Sequence, residues 1–380
     1  METLRIEPVK TGRQLNEFIH LSRALYAGDP SWVPPLAYEL KERLHPNKNP
    51  YFQHAELQAF IAYRGRKAIG RITAQVDHLV PEHHGEQIGH FGFFDVADDD
   101  EAARALLSTA ENWLRSFGKT RVLGPYNPTL NEEPGVLVDG FSKPPMMLMG
   151  HSLPYTARQL EQAGYEKAKD LYAYYVDIRS DVIPESIKKL TNRYVKDGRL
   201  EFRSVQMSRY QQDLDIILEI FNDAWSGNWG YLPMTEAELK HTADGMKVLV
   251  REELTYIAYF EGKPVGMMVT LPNLNEILKT IDGKLFPFGW LRLLKWLKID
   301  YPISLRVPLM GVMQDIQNSP LGAAVSFGLI EKIRCNAAAR GSHYAELSWI
   351  LEDNLRMRGI LDKIHSVPYK TYRVYGKELG

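Results

Sequence analysis

Glu346 and Ser348 lie in a short run, Tyr344 to Ile350, in which Ala345, Leu347 and Trp349 alternate with polar residues. A strand of that pattern buries one face and presents a carboxylate and a hydroxyl together on the other. Upstream stand an apolar strand, Leu305 to Val312, a turn, Gln317-Asn-Ser-Pro-Leu-Gly322, and a helix, Ala323 to Arg340. In the helix Val325, Leu329, Ile333 and Ala337 recur every fourth residue, and Gly341 is placed to stop it. Strand, loop, helix and strand in that order aim a helix N-terminus at an anion. Glu346 shares the polar face of the neighbouring strand with Ser348, and a surface or helix-capping role is a reading open to it and to the nearby Glu352.

The whole chain must be able to hold such a unit. Its 380 residues suit two domains, and 44% hydrophobic with 24% charged residues is an ordinary globular composition. A net charge of -1 with no basic run gives nothing with which to neutralise nucleic-acid phosphates. The single cysteine, Cys335, fits a reducing compartment, the N-terminus has no secretory pattern, and no run reaches about 18 apolar residues. A cytoplasmic protein is expected. His83 and His84 have no partners at metal-ligand spacing, and there is no Gly-x-Ser-x-Gly, so neither a metal nor a serine triad is expected.

Two segments match each other. Phe60-Ile-Ala-Tyr-Arg-Gly-Arg-Lys-Ala-Ile-Gly70 and Tyr256-Ile-Ala-Tyr-Phe-Glu-Gly-Lys-Pro-Val-Gly266 share an aromatic, Ile-Ala-Tyr, a turn glycine and a closing glycine. Strand, helix and strand follow each hairpin, so the chain reads as two copies of one mixed α/β unit. The copies are placed at 1–180 and 199–380, joined by a polar helix or linker at 181–198. The second carries an insertion at 273–299. There Phe286, Trp290, Leu293, Leu294 and Leu297 share one helical face, with Arg292, Lys295 and Lys298 opposite. That pattern fits either a helix packed on protein or one lying on a membrane surface through 286–299.

This order of elements resembles the GNAT superfamily of acyl-CoA N-acyltransferases. Asn228-Trp-Gly-Tyr-Leu-Pro-Met-Thr235, Ser348-Trp-Ile-Leu-Glu-Asp-Asn354 and Tyr369-Lys-Thr-Tyr-Arg-Val-Tyr375 are similar to signatures of large tandem GNAT-like bacterial proteins, as are residues 124–145. The resemblance implies two twisted, mostly antiparallel mixed sheets flanked by helices, and acetyl-CoA or a longer acyl-CoA as co-substrate. It further implies transfer to a primary amine, with some relatives acting in lipid N-acylation, including bacterial ceramide formation. The turn at 317–322 aligns with the superfamily's pyrophosphate loop, although Pro320 stands where a glycine N–H is usual. The corresponding turn of the first copy, Asp95-Val-Ala-Asp-Asp-Asp100, repels phosphate, so one site, in the second copy, is implied.

By the same resemblance Met310, Gly311, Val312, Gln317, Leu321, Gly322, Ala323 and Asn354 contact the cofactor. Glu346 or Glu352 is the base, and Tyr369 or Tyr372 the acid. Trp225, Asn228, Trp229 and Tyr231 meet the acceptor, a small-molecule or lipidic amine, with Asn131 and Glu132 of the first copy shaping it. The aromatic residues among these read equally as core. Two other functions fit the residues: a non-catalytic acyl-CoA or lipid-binding module, and a transferase drawing on charged transfer RNA, against which the near-neutral charge argues.

Overall fold

The first copy begins with β1 (Leu4–Pro8), α1 (Gly12–Leu25), α2 (Ala37–Arg43) and the hairpin β2 (Ala55–Arg64) and β3 (Lys67–Asp77). It continues through α3 (Val80–His84), β4 (Ile88–Val96), α4 (Asp100–Ser116), β5 (Arg121–Gly124), β6 (Val136–Asp139), α5 (Thr156–Gln162) and β7 (Glu166–Asp177). After α6 (Glu185–Lys196) come β8 (Leu200–Ser204), α7 (Tyr210–Trp225), α8 (Glu236–Met246) and the hairpin β9 (Thr255–Phe260) and β10 (Lys263–Pro272). The insertion supplies α9 (Asn275–Thr280) and α10 (Gly289–Lys298), and the chain ends with β11 (Ser304–Val312), α11 (Pro320–Ala339), β12 (Tyr344–Leu351), α12 (Leu355–Lys363) and β13 (Val367–Glu378). These elements come from a computed structural model that describes residues 2–380.

Two compact units form, both mixed α/β. The first holds residues 2–171, 278–289 and 370–380, and the second 172–277 and 290–369. The division therefore departs from the cut at 181–198 that the repeat implies. The C-terminal part of β13 completes the first unit, pairing Tyr375 with Gly124 of β5 and Tyr372 with Leu137 of β6.

In the first unit the sheet order is β1-β2-β3-β4-β5-β13. Alternation along β2 sends Phe60 and Ala62 to a core under α4 and α5, and Ile61 and Tyr63 to one under α1 and α2. In the second unit β7, β12, β11, β10, β9 and β8 follow one another. Helix α11 covers one face, and the Ile217, Ile220 and Phe221 side of α7 covers the other.

The repeated closing glycines now have a reason. A Cβ on Gly70 would lie 2.8 Å from Leu106 of α4, and one on Gly266 would lie 2.5 Å from Val325 of α11. Each copy needs a strand without a side chain where its crossing helix presses down.

Helix α7 is tied to β8 by Asp213, which is buried and accepts from both Arg203 Nη atoms at 3.0 and 2.6 Å and from the Gln206 N–H at 2.9 Å. Burial raises the Asp213 pKa, but the Arg203 and Gln206 hydrogen bonds outweigh it and hold the carboxyl below its usual range. A depressed folded-state pKa gives stability that is full above about pH 3.9, the unfolded value, and is lost as pH falls through the folded value. Urea melts at pH 7 and pH 3 are therefore expected to show a smaller acid-induced loss in Asp213→Asn than in the parent; equal losses would remove Asp213 from the acid response.

Candidate active site

Strands β11 and β12 run parallel only from Ser304 opposite Tyr344 to Val307 opposite Leu347. On its other edge β11 pairs Leu309 with Val269 but Arg306 with Leu271, so it carries one extra residue around Val307 and Pro308. A bulge bends a strand, and Pro308 has no N–H to continue the ladder. Beyond it the two strands part, and the gap is a cavity of ≈ 450 Å³, a volume typical of ligand sites.

One wall of the cavity is the freed edge of β11. The Met310 carbonyl accepts from Trp225 Nε1 at 3.4 Å and the Val312 carbonyl from Gln317 Nε2 at 2.7 Å. Both donors lie off the strand, so these two residues turn their carbonyls away from β10, and the N–H of the same residue points the same way. The opposite wall is Ser348 to Leu351, and the end is closed by Asp353, Asn354, Leu355, Arg356 and Met357 at the start of α12. Trp225, Asn228 and Trp229 line the mouth, and the Trp225 ring meets Trp349 edge-on at 5.5 Å.

Under the Ser348 wall lies a buried polar chain. Alternation along β12 puts Glu346 and Ser348 on one face, and both are buried. Ser348 Oγ donates to Glu346 Oε1 at 2.5 Å and accepts from Arg306 Nε at 3.1 Å, while the Tyr369 hydroxyl donates to Glu346 Oε2. Arg306 sits directly across the β11–β12 pairing from Glu346. Only Ser348 of the chain reaches the cavity, so the carboxylate communicates with it through the serine hydroxyl, which has a second lone pair to offer.

The start of α11 is arranged for capping. Ser319 is the N-cap and accepts from the Gly322 N–H at 3.1 Å, the Ala323 N–H bonds the Ser319 carbonyl, and Pro320 opens the helix at its first turn, where proline fits. Of the turn residues only Gln317 lines the cavity; Leu321, Gly322 and Ala323 do not. A Cβ on Gly322 would lie 2.3 Å from the Ile316 carbonyl oxygen, so the glycine is required by the turn itself. Gly322→Val is accordingly expected to destabilise the protein by about 1–3 kcal/mol, seen as a lower melting temperature; an unchanged melt would show that the turn has room.

A cation stands at the cavity instead. Arg356 lines it, is half-buried, and has its pKa lowered by burial. Among the described residues no carboxylate pairs with it.

The fold and the chain both have known counterparts. A tandem GNAT protein from the clavulanic acid biosynthesis pathway superposes at a TM-score of 0.56 with 12% identity, covering 100% of this chain and 99% of that one. A GCN5-related N-acetyltransferase from Sphaerobacter thermophilus gives 0.51 and 13%, covering 99% and 96%. No family profile matches. The bacterial ceramide synthase of Caulobacter vibrioides is 43% identical over 377 residues, 99% of this chain and 98% of that protein. Protein YghO of Escherichia coli K12 is 40% identical over 365 residues, 96% and 93% of the two chains. This chain belongs to the family of the bacterial ceramide synthase, and it has the tandem GNAT fold. Its fold is that of acyltransferases.

The two GNAT units differ at the place where the second is open. In the first, β4 and β5 also run parallel briefly, from Ile88 opposite Arg121 to His90 opposite Leu123. The next groups on the β4 edge are then taken by the chain itself: Tyr126 N–H donates to the Phe91 carbonyl at 2.8 Å, and Phe93 N–H to Asn127 Oδ1 at 2.6 Å. A Cβ on Gly92 would lie 1.8 Å from the Tyr126 carbonyl oxygen. The loop after β5 fills the slot, and the helix that follows β4 is capped by Asp99 and ion-paired through it to Arg64 at 2.5 Å.

Several expected site residues of the tandem GNAT chain lie elsewhere. Tyr372 is three residues beyond Tyr369 on a strand, so it faces the other way, and it belongs to the first unit opposite Leu137. Asn131 and Glu132 are also in the first unit, where Glu132 and Glu133 pair with the buried Arg43 at 3.3 and 2.9 Å. Glu352 follows the strand and does not line the cavity, whereas Asp353 does. Tyr231 packs behind Phe221 and donates to Asn222 at 2.9 Å. Arg306 and Arg356 were not singled out by the sequence: in it one looks like a strand residue and the other a helix-surface cation. Among the described residues no group of His, Cys, Asp and Glu could hold a metal ion, and no helix is long and apolar enough to cross a membrane.

Proposed function

We propose that this protein is an acyl-CoA-dependent N-acyltransferase whose acceptor is a long-chain primary amine. The observation that carries the reading is the cleft between β11 and β12, with the Glu346, Ser348 and Tyr369 chain beneath one wall and Arg356 at its end. The relative from Caulobacter, named a ceramide synthase, supports a lipidic amine as acceptor, and the aromatic mouth of Trp225, Trp229 and Trp349 offers area to an apolar chain.

The pantetheine arm lies along the freed edge of β11, where the Met310 and Val312 N–H groups face the gap. An amide donor there polarises the thioester carbonyl and steadies the oxyanion formed on attack. The acceptor enters as an ammonium. Ser348 Oγ takes its proton and passes its own to Glu346, and Arg306 on the other side of the serine keeps the hydroxyl turned toward the carboxylate. The free amine then attacks the thioester carbon, the C–N bond forms and the C–S bond breaks. The leaving thiolate takes the proton held by the Glu346 and Tyr369 pair, the remaining extra proton on the new amide nitrogen passes to water, and the site returns to its starting state with one proton released overall.

Arg356 takes the phosphate end of the cofactor. With the Gly322 N–H already spent on Ser319 and none at Pro320, the helix terminus has fewer donors than a glycine-rich turn, and a guanidinium supplies the charge. The same shortage of donors favours the second reading, a protein that binds acyl-CoA or lipid without reacting it. A chain-length series of acyl-CoAs, incubated with long- and short-chain primary amines while free thiol is followed, distinguishes the two. Thiol release that requires both the protein and a long-chain amine supports the transferase, and tight acyl-CoA binding with no release under any amine supports the binding module.

A further inference from the structure

The insertion carries the most exposed apolar surface of the chain, and it is not where the sequence pattern alone places it. Along α10, Leu293, Trp296 and Leu297 turn toward the protein, with Trp296 buried, while Trp290, Leu291 and Leu294 are left exposed at 45%, 46% and 47%. Phe286 and Phe288, in the segment leading into the helix, are 82% and 69% exposed, and Ile299 just after it is 75% exposed. The expected single stripe is thus split: one part anchors the helix and the other part faces outward.

The charge on this stretch has one sign. Between Gly283 and Ile299 stand Lys284, Arg292, Lys295 and Lys298 and no acid. At its ends Asp282 pairs with Lys284 at 2.7 Å and Asp300 lies 3.7 Å from Lys295. On the helix wheel Lys298 falls between Leu294 and Leu291, and Lys295 and then Arg292 follow Leu291, which leaves apolar side chains interleaved with and bordered by long cationic ones. A protein partner's core would leave these cations to be neutralised one by one. An anionic bilayer takes both features together: phenylalanine, tryptophan and leucine enter the acyl boundary while lysine and arginine reach the phosphates.

We infer that residues 286–299 dock this protein onto an anionic lipid surface. The inference does not depend on the chemistry of the cleft, although a lipidic acceptor would be delivered from that surface. It is tested by sedimenting the full-length protein with vesicles of phosphatidylcholine alone or with about a third phosphatidylglycerol. Binding is expected to the anionic vesicles, to fall with rising salt, and to weaken about tenfold or more in Phe286→Ser/Phe288→Ser and in Lys295→Glu/Lys298→Glu. These side chains are exposed, so the variants should melt with the parent. Vesicle binding that none of the variants changes, or no binding at all, overturns the inference. So does a parent that is a dimer by light scattering and becomes a monomer in Phe286→Ser/Phe288→Ser, because the face is then covered by a second copy. Since vesicle binding and thiol release are separate readouts, failure of one leaves the other standing.

Discussion

Glu346→Gln is expected to lower kcat by about 10²–10⁴-fold, the range lost when a positioned proton acceptor is removed, with little change in acyl-CoA affinity. The substitution keeps size and shape but removes the one carboxylate to which both Ser348 and Tyr369 donate. Glu346 does not line the cavity, so its loss should not alter cofactor contacts. Ser348→Ala should reduce kcat as well, since the proton path is cut one step nearer the acceptor, while leaving the carboxylate in place. A purely structural carboxylate would behave otherwise. It would lower the melting temperature and the fraction of active protein, and leave the solvent isotope effect on the remaining activity unchanged. Melting curves and rates in light and heavy water settle which occurs: a proton-accepting Glu346 gives a glutamine variant that melts with the parent but has a lowered kcat and an altered solvent isotope effect.

The second large effect is on the cofactor. Arg356→Met is expected to weaken acyl-CoA binding by about 10–100-fold, the equivalent of one charged hydrogen bond of roughly 1.5–3 kcal/mol. The effect should all but vanish for an acyl-pantetheine that has no nucleotide phosphates. Methionine retains much of the length and the apolar stem, so packing at the start of α12 is kept. A drop of the same size with both compounds would place Arg356 against the acyl or pantetheine part instead. No drop with either would leave the phosphate to the α11 terminus, despite the Ser319 cap.

Much of this was legible in the sequence, for reasons that can be stated. Strict alternation put Glu346 beside Ser348, the four-residue period of Val325 to Ala337 gave α11, and the matched hairpins disclosed the duplication. Each is a local pattern that the backbone reads directly. The cleft was less legible because it depends on where a ladder stops. Pro308 marks that place, but its meaning needs the bulge against β10 and the parallel partner, both set by residues distant in sequence. The same holds for Arg306, which became part of the polar chain only through its register opposite Glu346. In the first unit the acidic turn was visible in the sequence, but the fold-back of Tyr126 and Asn127 along β4 was invisible without the pairing. The unit boundary also escaped the repeat, because the end of β13 returns to complete the first sheet.

The most direct test is to identify the product. Purified protein, a long-chain acyl-CoA and a long-chain primary amine would be mixed, and free coenzyme A thiol and N-acyl amide would be quantified in the same samples by mass spectrometry. The account predicts amide and thiol formed one for one, both abolished to the same degree by Glu346→Gln. Thiol without amide, or amide formed equally by Glu346→Gln, would contradict it.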